Sequence, residues 1–476
     1  MNSPLAVVKF LLSKTPYLLK TVVLHVLSIS PTSKKWTLRT ELTVAMLRAF
    51  IADAPPSTIT SQQAMFLKDP GVKGGMWVSK VAFPPPEDDT REMLFRVIDG
   101  LKCGGEEYDK ARLQAVEGEW VGRRQRVGPN TPEPKDMSEA EKYKSLVDET
   151  ENDLTLLYFH GGSYYLIDPV SNRPLMAKYA GLSGGRVFSL RYRLAPQHPF
   201  PAALLDALVA YLSLLYPPPG ALHKPMPASR IIVCGDSAGG NLAAVLIQTL
   251  LQLHRDAPVG ETPTVSFHGK KVSIPLPAAV TLSSPSMDLT RSLQGSTAHK
   301  WDYLPPSTKS PALSPPCAVW PSDPPRAELF CEASILCHPL VSPLSAPSWA
   351  GSPPIFVACG EEKLTDEAKL FAQKAARDGV AVVWEQYEAM PHCFAQVLVG
   401  TPEAESCFAG LGEFVKRIAD GEEVATKGEF VEALTVKRRD VDVRSLLEMS
   451  DEDIREGMLR GKQAIEDRFA KSMASQ

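Results

Sequence analysis

Residues 230–254 read RIIVCGDSAGGNLAAVLIQTLLQLH. The apolar run ending at Cys234 suits a strand buried on both faces, and the stretch 241–254 suits a helix. Between them stands Gly235-Asp236-Ser237-Ala238-Gly239. A serine raised clear of a sheet needs a sharp, strained turn. Bulky neighbours would clash there, so glycine flanks it on both sides. The helix that follows aims its N-terminus at the same spot and favours developing negative charge. A GxSxG pentapeptide recurs by chance, but in this strand–turn–helix setting it marks Ser237 as a nucleophile.

The pattern repeats outward from that turn. LTLLYFH (154–160), RVFSLRY (186–192), AAVTLSS (278–284), IFVACG (355–360) and VAVVWEQY (380–387) read as strands. Stretches near 170–182, 202–216 and 366–378 read as helices between them. Such alternation predicts an α/β fold, with a mostly parallel sheet and helices on both faces. Upstream, 76–82 and 114–121 are short strand candidates, and the chain around them, Gly128–Lys144 especially, is polar and poor in periodicity. Expected divisions are N-terminal helices over 1–65, core over 66–285 and 351–425, a Pro-rich cap insertion over 286–350, and a C-terminal helical extension over 426–476. Within the insertion, helices are expected near 326–335. Near the C-terminus Ser450 reads as an N-cap, with Ile454, Met458, Ile465, Phe469 and Met473 on one helix face.

A serine hydroxyl is a poor nucleophile at neutral pH and needs a base beside it. On this type of fold the chain order is serine, acid, histidine. Of the histidines after Ser237 (His254, His268, His299, His338 and His392), only His392 follows IFVACG, the strand after which the acid is expected. His338 reads as structural. The acid candidates are Glu361, Glu362 and Asp366; Glu362 sits in the loop, whereas Asp366 has a simpler explanation at a helix start. At the end of LTLLYFH stands His160-Gly161-Gly162-Ser163. Acyl transfer builds an oxyanion that needs preorganised N–H donors. Gly161, Gly162 and Ala238 are the expected donors, with Ser163 as a further one; His160 and Asp236 are expected to brace the loop and turn.

HGGS, YRLAPQHPFPAALLD (192–206), GDSAGGNL (235–242), HPLVSPL (338–344) and EKLTDE (362–367) together resemble the hormone-sensitive lipase family of α/β hydrolases, from about residue 150 to 420. The resemblance implies a triad of Ser237, Glu362 and His392, a cap built from the N-terminal helices and part of the insertion, and YRLAP as a structural signature. Three features depart from that family's pattern: Ser163 replaces the third glycine of HGGG, the acid is Glu, and the insertion and terminal extensions are large. Over its whole length the chain is similar to fungal esterase-like proteins of this kind.

Composition narrows the rest. With 44% hydrophobic residues in 476, a sizeable core is available, and a net charge of -4 leaves no basic footprint for nucleic acid. The eight scattered cysteines form no CxxC or Cys/His cluster, so no metal is expected; the thiols read as free and the compartment as reducing. Residues 4–29 are apolar but interrupted by Lys9, Lys14 and Lys20, and Pro16 is expected to break any single helix. They read first as helices packed on the protein's own cap and second as a membrane-surface segment. The expected location is cytoplasmic, with membrane association as the variant. Trp301, Tyr303 and Trp320 read first as core and second as pocket lining; GLSGGR (181–186) reads as a helix-ending turn. The expected activity is carboxylic ester hydrolysis without a cofactor, on a small-molecule hydrophobic ester whose acyl or alcohol part the large apolar cap suggests is fairly bulky. An amide or lactone hydrolase or an acyltransferase shares the same acyl-enzyme, and a non-catalytic binding protein of the same fold is the remaining alternative.

Overall fold

The computed structural model describes residues 4–293, 300–306 and 310–474, with side chains from Leu12 onward. His299 and part of the Pro-rich run, 307–309, lie outside the described residues. Strands β1 (Met76–Phe83), β2 (Val116–Arg123), β3 (Thr155–Phe159), β4 (Arg186–Arg191), β5 (Ile231–Asp236), β6 (Thr264–Phe267), β7 (Lys270–Ser273), β8 (Ala279–Ser283), β9 (Ile355–Cys359), β10 (Val382–Tyr387), β11 (Lys427–Val431) and β12 (Arg438–Asp440) follow in chain order. All but the β6–β7 hairpin join one sheet in the order β1-β2-β4-β3-β5-β8-β9-β10-β11-β12. From β4 to β11 neighbours run parallel; β1, β2 and β12 pair antiparallel at the edges.

The central strands are continuously apolar because both faces are covered. Leu157, Phe159, Ile231 and Val233 join one buried cluster, while Leu156, Tyr158, Ile232 and Cys234 join the other. Helices α4 (Asp88–Gly100), α5 (Glu139–Asp148), α7 (Ala202–Leu215), α8 (Ala238–Asp256) and α9 (Thr365–Arg377) contribute to the first cluster. Helices α6 (Pro169–Ser183), α10 (Phe394–Val397) and α11 (Pro402–Ala419) contribute to the second. α6 ends at Gly184 in the left-handed conformation, the turn expected of GLSGGR. YRLAP is structural: Arg193 donates to the buried Asp206 carboxylate at 2.7 and 3.0 Å, and Tyr192 Oη donates to the His160 carbonyl at 2.7 Å.

Several expectations are corrected. α1 (Pro4–Val26) passes through Pro16 unbroken. A proline removes one N–H donor from the ladder, and a 23-residue helix retains its other bonds around that gap. α2 (Leu38–Phe50) and α3 (Ile59–Phe66) follow within the region expected to be helical, α3 capped by the Thr58 side chain. The aperiodic region around Gly128–Lys144 holds the start of α5, nucleated by a Ser138–Glu141 capping box. No helix spans 326–335, where only the turn Ala333–Ile335 forms. There Arg326 is buried, its Nη2 donating to the Pro196 carbonyl at 3.0 Å, so side-chain anchoring replaces helix periodicity. α12 (Asp451–Ala474) is capped by Ser450 and buries Ile454, Met458 and Ile465, but Met473 is exposed. Lys462 Nζ of α12 donates to the Ser334 carbonyl at 3.2 Å, tying this helix to the insertion.

Candidate active site

Parallel strands deliver their C-terminal ends to one edge of the sheet, where α/β proteins gather their functional loops. Ser237 follows β5, His160–Ser163 follows β3, Glu362 follows β9, and His392 follows β10. Ser237 takes φ 52° and ψ -119°, a strained backbone for a residue with a side chain. The glycines around it are forced by close approach. A Cβ on Gly235 would lie 2.1 Å from the Gly239 carbonyl oxygen, and one on Gly239 would lie 2.0 Å from that of Phe159. The turn is pinned by Ser237 N–H donating to the Ser283 carbonyl at 3.0 Å and Ser286 N–H donating to the Ser237 carbonyl at 3.1 Å.

Ser237 Oγ lies 2.9 Å from His392 Nε2, and His392 Nδ1 is hydrogen-bonded to Glu362 Oε2. Of the three acid candidates, Glu362 alone touches His392. Asp366 faces Lys369 at 3.6 Å and Glu361 accepts from the Ala389 amide at 2.8 Å. Glu362 is fully buried, and its own amide donates to Thr365 Oγ1 at 2.8 Å. Burial disfavours the charged His392 ring, while Cys393 and the Glu362 carboxylate favour it; the balance lies well above the usual imidazole range. Burial holds the Cys393 thiol up at about 12, with the neighbouring His392 opposing that rise.

Two neighbours of His392, Cys393 and Asp302, escaped sequence reasoning, and a third, Tyr303, was read first as core and second as pocket lining. Cys393 Sγ sits 3.4 Å from His392 Nε2 and 3.8 Å from Asp236 Oδ2; its place directly after His392 was the available signal. Asp302 accepts from the His392 amide at 3.4 Å and the Lys363 amide at 2.9 Å, and Tyr303 packs its ring 6.1 Å from the imidazole. Both come from the insertion, and no motif pointed to Asp302. Trp301 packs on Trp36 and Trp320 joins a separate buried cluster, so these insertion aromatics are core.

Gly161 abuts the turn, where an added Cβ would meet Asp236 Oδ2 at 2.5 Å. Gly161, expected as a donor, gives its amide to the Asp236 carboxyl. Among the described residues nothing accepts from the amides of Gly162, Ser163 or Ala238. Asp236 also receives the Tyr158 hydroxyl, and burial pushes its carboxyl up. His160 stacks on Tyr192 with ring centroids 4.3 Å apart, and burial lowers its pKa to about 4, leaving it neutral. His338 Nε2–H donates to the Ile98 carbonyl at 3.0 Å and Nδ1 accepts from the Leu340 amide at 3.1 Å, in keeping with a structural role.

A cavity of about 260 Å³ opens over Ser237 and Ala238. Tyr164 and Phe330 stack on one side at 3.8 Å, and Leu304 and Leu364 add apolar surface. The Arg291–Glu328 pair, at 2.7 Å, forms a polar patch in the same wall.

A family profile described as alpha/beta hydrolase fold matches residues 156–396, just over half the chain. The chain belongs to this alpha/beta hydrolase family. Within it, the protein is 33% identical over 269 residues to an acetyl-hydrolase of Streptomyces hygroscopicus, covering 56% of this chain and 77% of that one. It is 27% identical over 267 residues to an esterase of Acinetobacter venetianus, covering 54% and 73%. Both relatives are bacterial. Among solved structures, an esterase from the bacterial hormone-sensitive lipase family superposes with a TM-score of 0.51 at 24% identity, over 81% of this hydrolase and 99% of that chain. That likeness establishes the fold. The matched span of the family profile contains the turn at Ser237, the HGGS loop, Glu362 and His392, and leaves α1–α3 and α12 outside.

Proposed function

We propose that this hydrolase cleaves carboxylic esters through an acyl-enzyme on Ser237. The observation that carries the reading is the continuous chain Ser237 Oγ–His392–Glu362 at the floor of a cavity. His392 Nε2 takes the hydroxyl proton as Ser237 attacks the ester carbonyl, and returns it to the departing alcohol. Glu362 holds the Nδ1–H tautomer and stabilises the imidazolium that forms. The amides of Gly162, Ser163 and Ala238 receive the oxyanion, with Gly161 and Asp236 bracing the loop that presents them. Water then deacylates Ser237 by the same route. Relatives named esterase and carboxylesterase favour esters over amides or lactones.

The cavity suits a small hydrophobic ester, since its walls near Ser237 are aromatic and aliphatic. The test is hydrolysis of p-nitrophenyl acetate, butyrate and octanoate by the wild type and by Ser237→Ala. The reading expects turnover by the wild type and none above background by the variant. A variant as active as the wild type on all three esters overturns it.

A further inference from the structure

The strongest unexplained surface is α1. From Leu12 onward, four of its large apolar residues, Leu12, Leu19, Val23 and Val26, are 66%, 60%, 53% and 68% exposed, while Leu18, Val22 and Leu24 are half-buried. Their spacings of seven, four and three place them in one narrow stripe on a helix. The opposite side of α1 meets the protein: His25 is bonded to Glu41 of α2. α1 therefore half-buries Leu18, Val22 and Leu24 and still carries a second apolar stripe that is exposed. Leu27 and Ile29 extend the exposed apolar surface past the helix end.

Charge says what covers it. Six of the chain's 51 basic residues, and none of its 55 acidic ones, lie before Glu41: Lys9, Lys14, Lys20, Lys34, Lys35 and Arg39. The chain as a whole is acidic, so this is a local reversal. Lys20, the residue after Leu19, and Lys34, past the end of α1, are exposed. No described helix is long and apolar enough to cross a membrane. An acid-free, basic segment with an outward apolar stripe fits a surface that is apolar inside and anionic at its edge. We propose that α1 lies in the interface of a lipid bilayer bearing anionic headgroups, with Leu12, Leu19, Val23 and Val26 at the acyl boundary. Ile51, just past the end of α2, which packs on α1, is half-exposed and also lines the cavity over Ser237.

The docking stands independently of the ester reading, and the experiment separates them. The full chain is floated with vesicles of phosphatidylcholine alone or of phosphatidylcholine mixed with phosphatidylserine. Hydrolysis of soluble p-nitrophenyl acetate, measured without vesicles, is the control for folding. The expected result is flotation with the anionic vesicles, weakened by salt. Leu19→Ser with Val23→Ser weakens it by about tenfold or more. Lys20→Glu and Lys34→Glu each weaken it by about fivefold or more. Soluble ester turnover is unchanged in all of them. A protein that stays with the soluble fraction overturns the proposal. So does equal binding to both vesicle types with no effect of the lysine changes. Light scattering that finds a lipid-free dimer, with α1 protected from hydrogen exchange, assigns the stripe to a second copy and also overturns it.

Discussion

The two walls of the cavity are built in different ways. The floor is the edge of the sheet. Its reactive groups stand where β3, β5, β9 and β10 end, and backbone contacts as close as those at Gly235 and Gly239 admit no side chain. The opposite wall comes from residues 284–354, where the described residues form nothing longer than a three-residue turn. That wall hangs on individual side chains: Asn241 Nδ2 donates to the Val341 carbonyl at 3.1 Å, and the Leu289 amide donates to Ser342 Oγ at 2.9 Å. Chemistry thus rests on regular structure, and the surface that touches the rest of a substrate rests on irregular chain. Changes in the floor should alter kcat, and changes in the wall should alter KM.

The largest effect expected is in the floor. His392→Ala removes the base and should lower kcat by about 10⁶-fold, read by burst-free steady-state hydrolysis of p-nitrophenyl butyrate. Glu362→Gln should cost about 10⁴-fold, because the ring loses its oriented tautomer. The same change should move the acidic limb of the pH profile. The base acts deprotonated, so kcat/KM rises with pH through the His392 pKa, which is held above the ordinary 6.5. Removing the carboxylate charge removes support for the imidazolium, and the limb should shift to lower pH. Asp366→Asn, which loses only a partly exposed pairing with Lys369, should leave both rate and profile within about twofold of the wild type. A profile that moves with Asp366→Asn and not with Glu362→Gln would reverse the assignment.

Gly239→Ala probes the same floor through stability. The added methyl meets the Phe159 backbone, and denaturant unfolding should register a loss of about 3 kcal/mol. In the wall, Phe330→Ala removes the ring stacked on Tyr164 and should raise KM by about three- to tenfold while kcat holds. A fall in kcat with unchanged KM would erase the distinction between the walls.

This same division decides what the sequence disclosed. The strands 154–160, 230–236 and 355–360 were legible because both faces are buried, which leaves uninterrupted apolar runs. Ser237, the HGGS loop and His392 were legible because their glycines and order answer to steric and chemical needs that a local pattern records. The β6–β7 hairpin, β11 and β12 are short and polar, so their pairing partners decide them and no local pattern does. Asp302 reaches His392 from ninety residues away through an aperiodic segment, a contact written only in tertiary structure. Pro16 misled because proline's cost is a single lost bond and some crowding, which a long helix absorbs.

The central claim is that the hydroxyl of Ser237 is the group that attacks. Treatment with a fluorophosphonate, followed by mass spectrometry of the peptide spanning 231–255, tests it most directly. The account predicts a single phosphonyl adduct on Ser237, formed at the rate activity is lost, and no adduct in His392→Ala over the same interval. Loss of activity with Ser237 unmodified, or with the adduct on another residue, would contradict it.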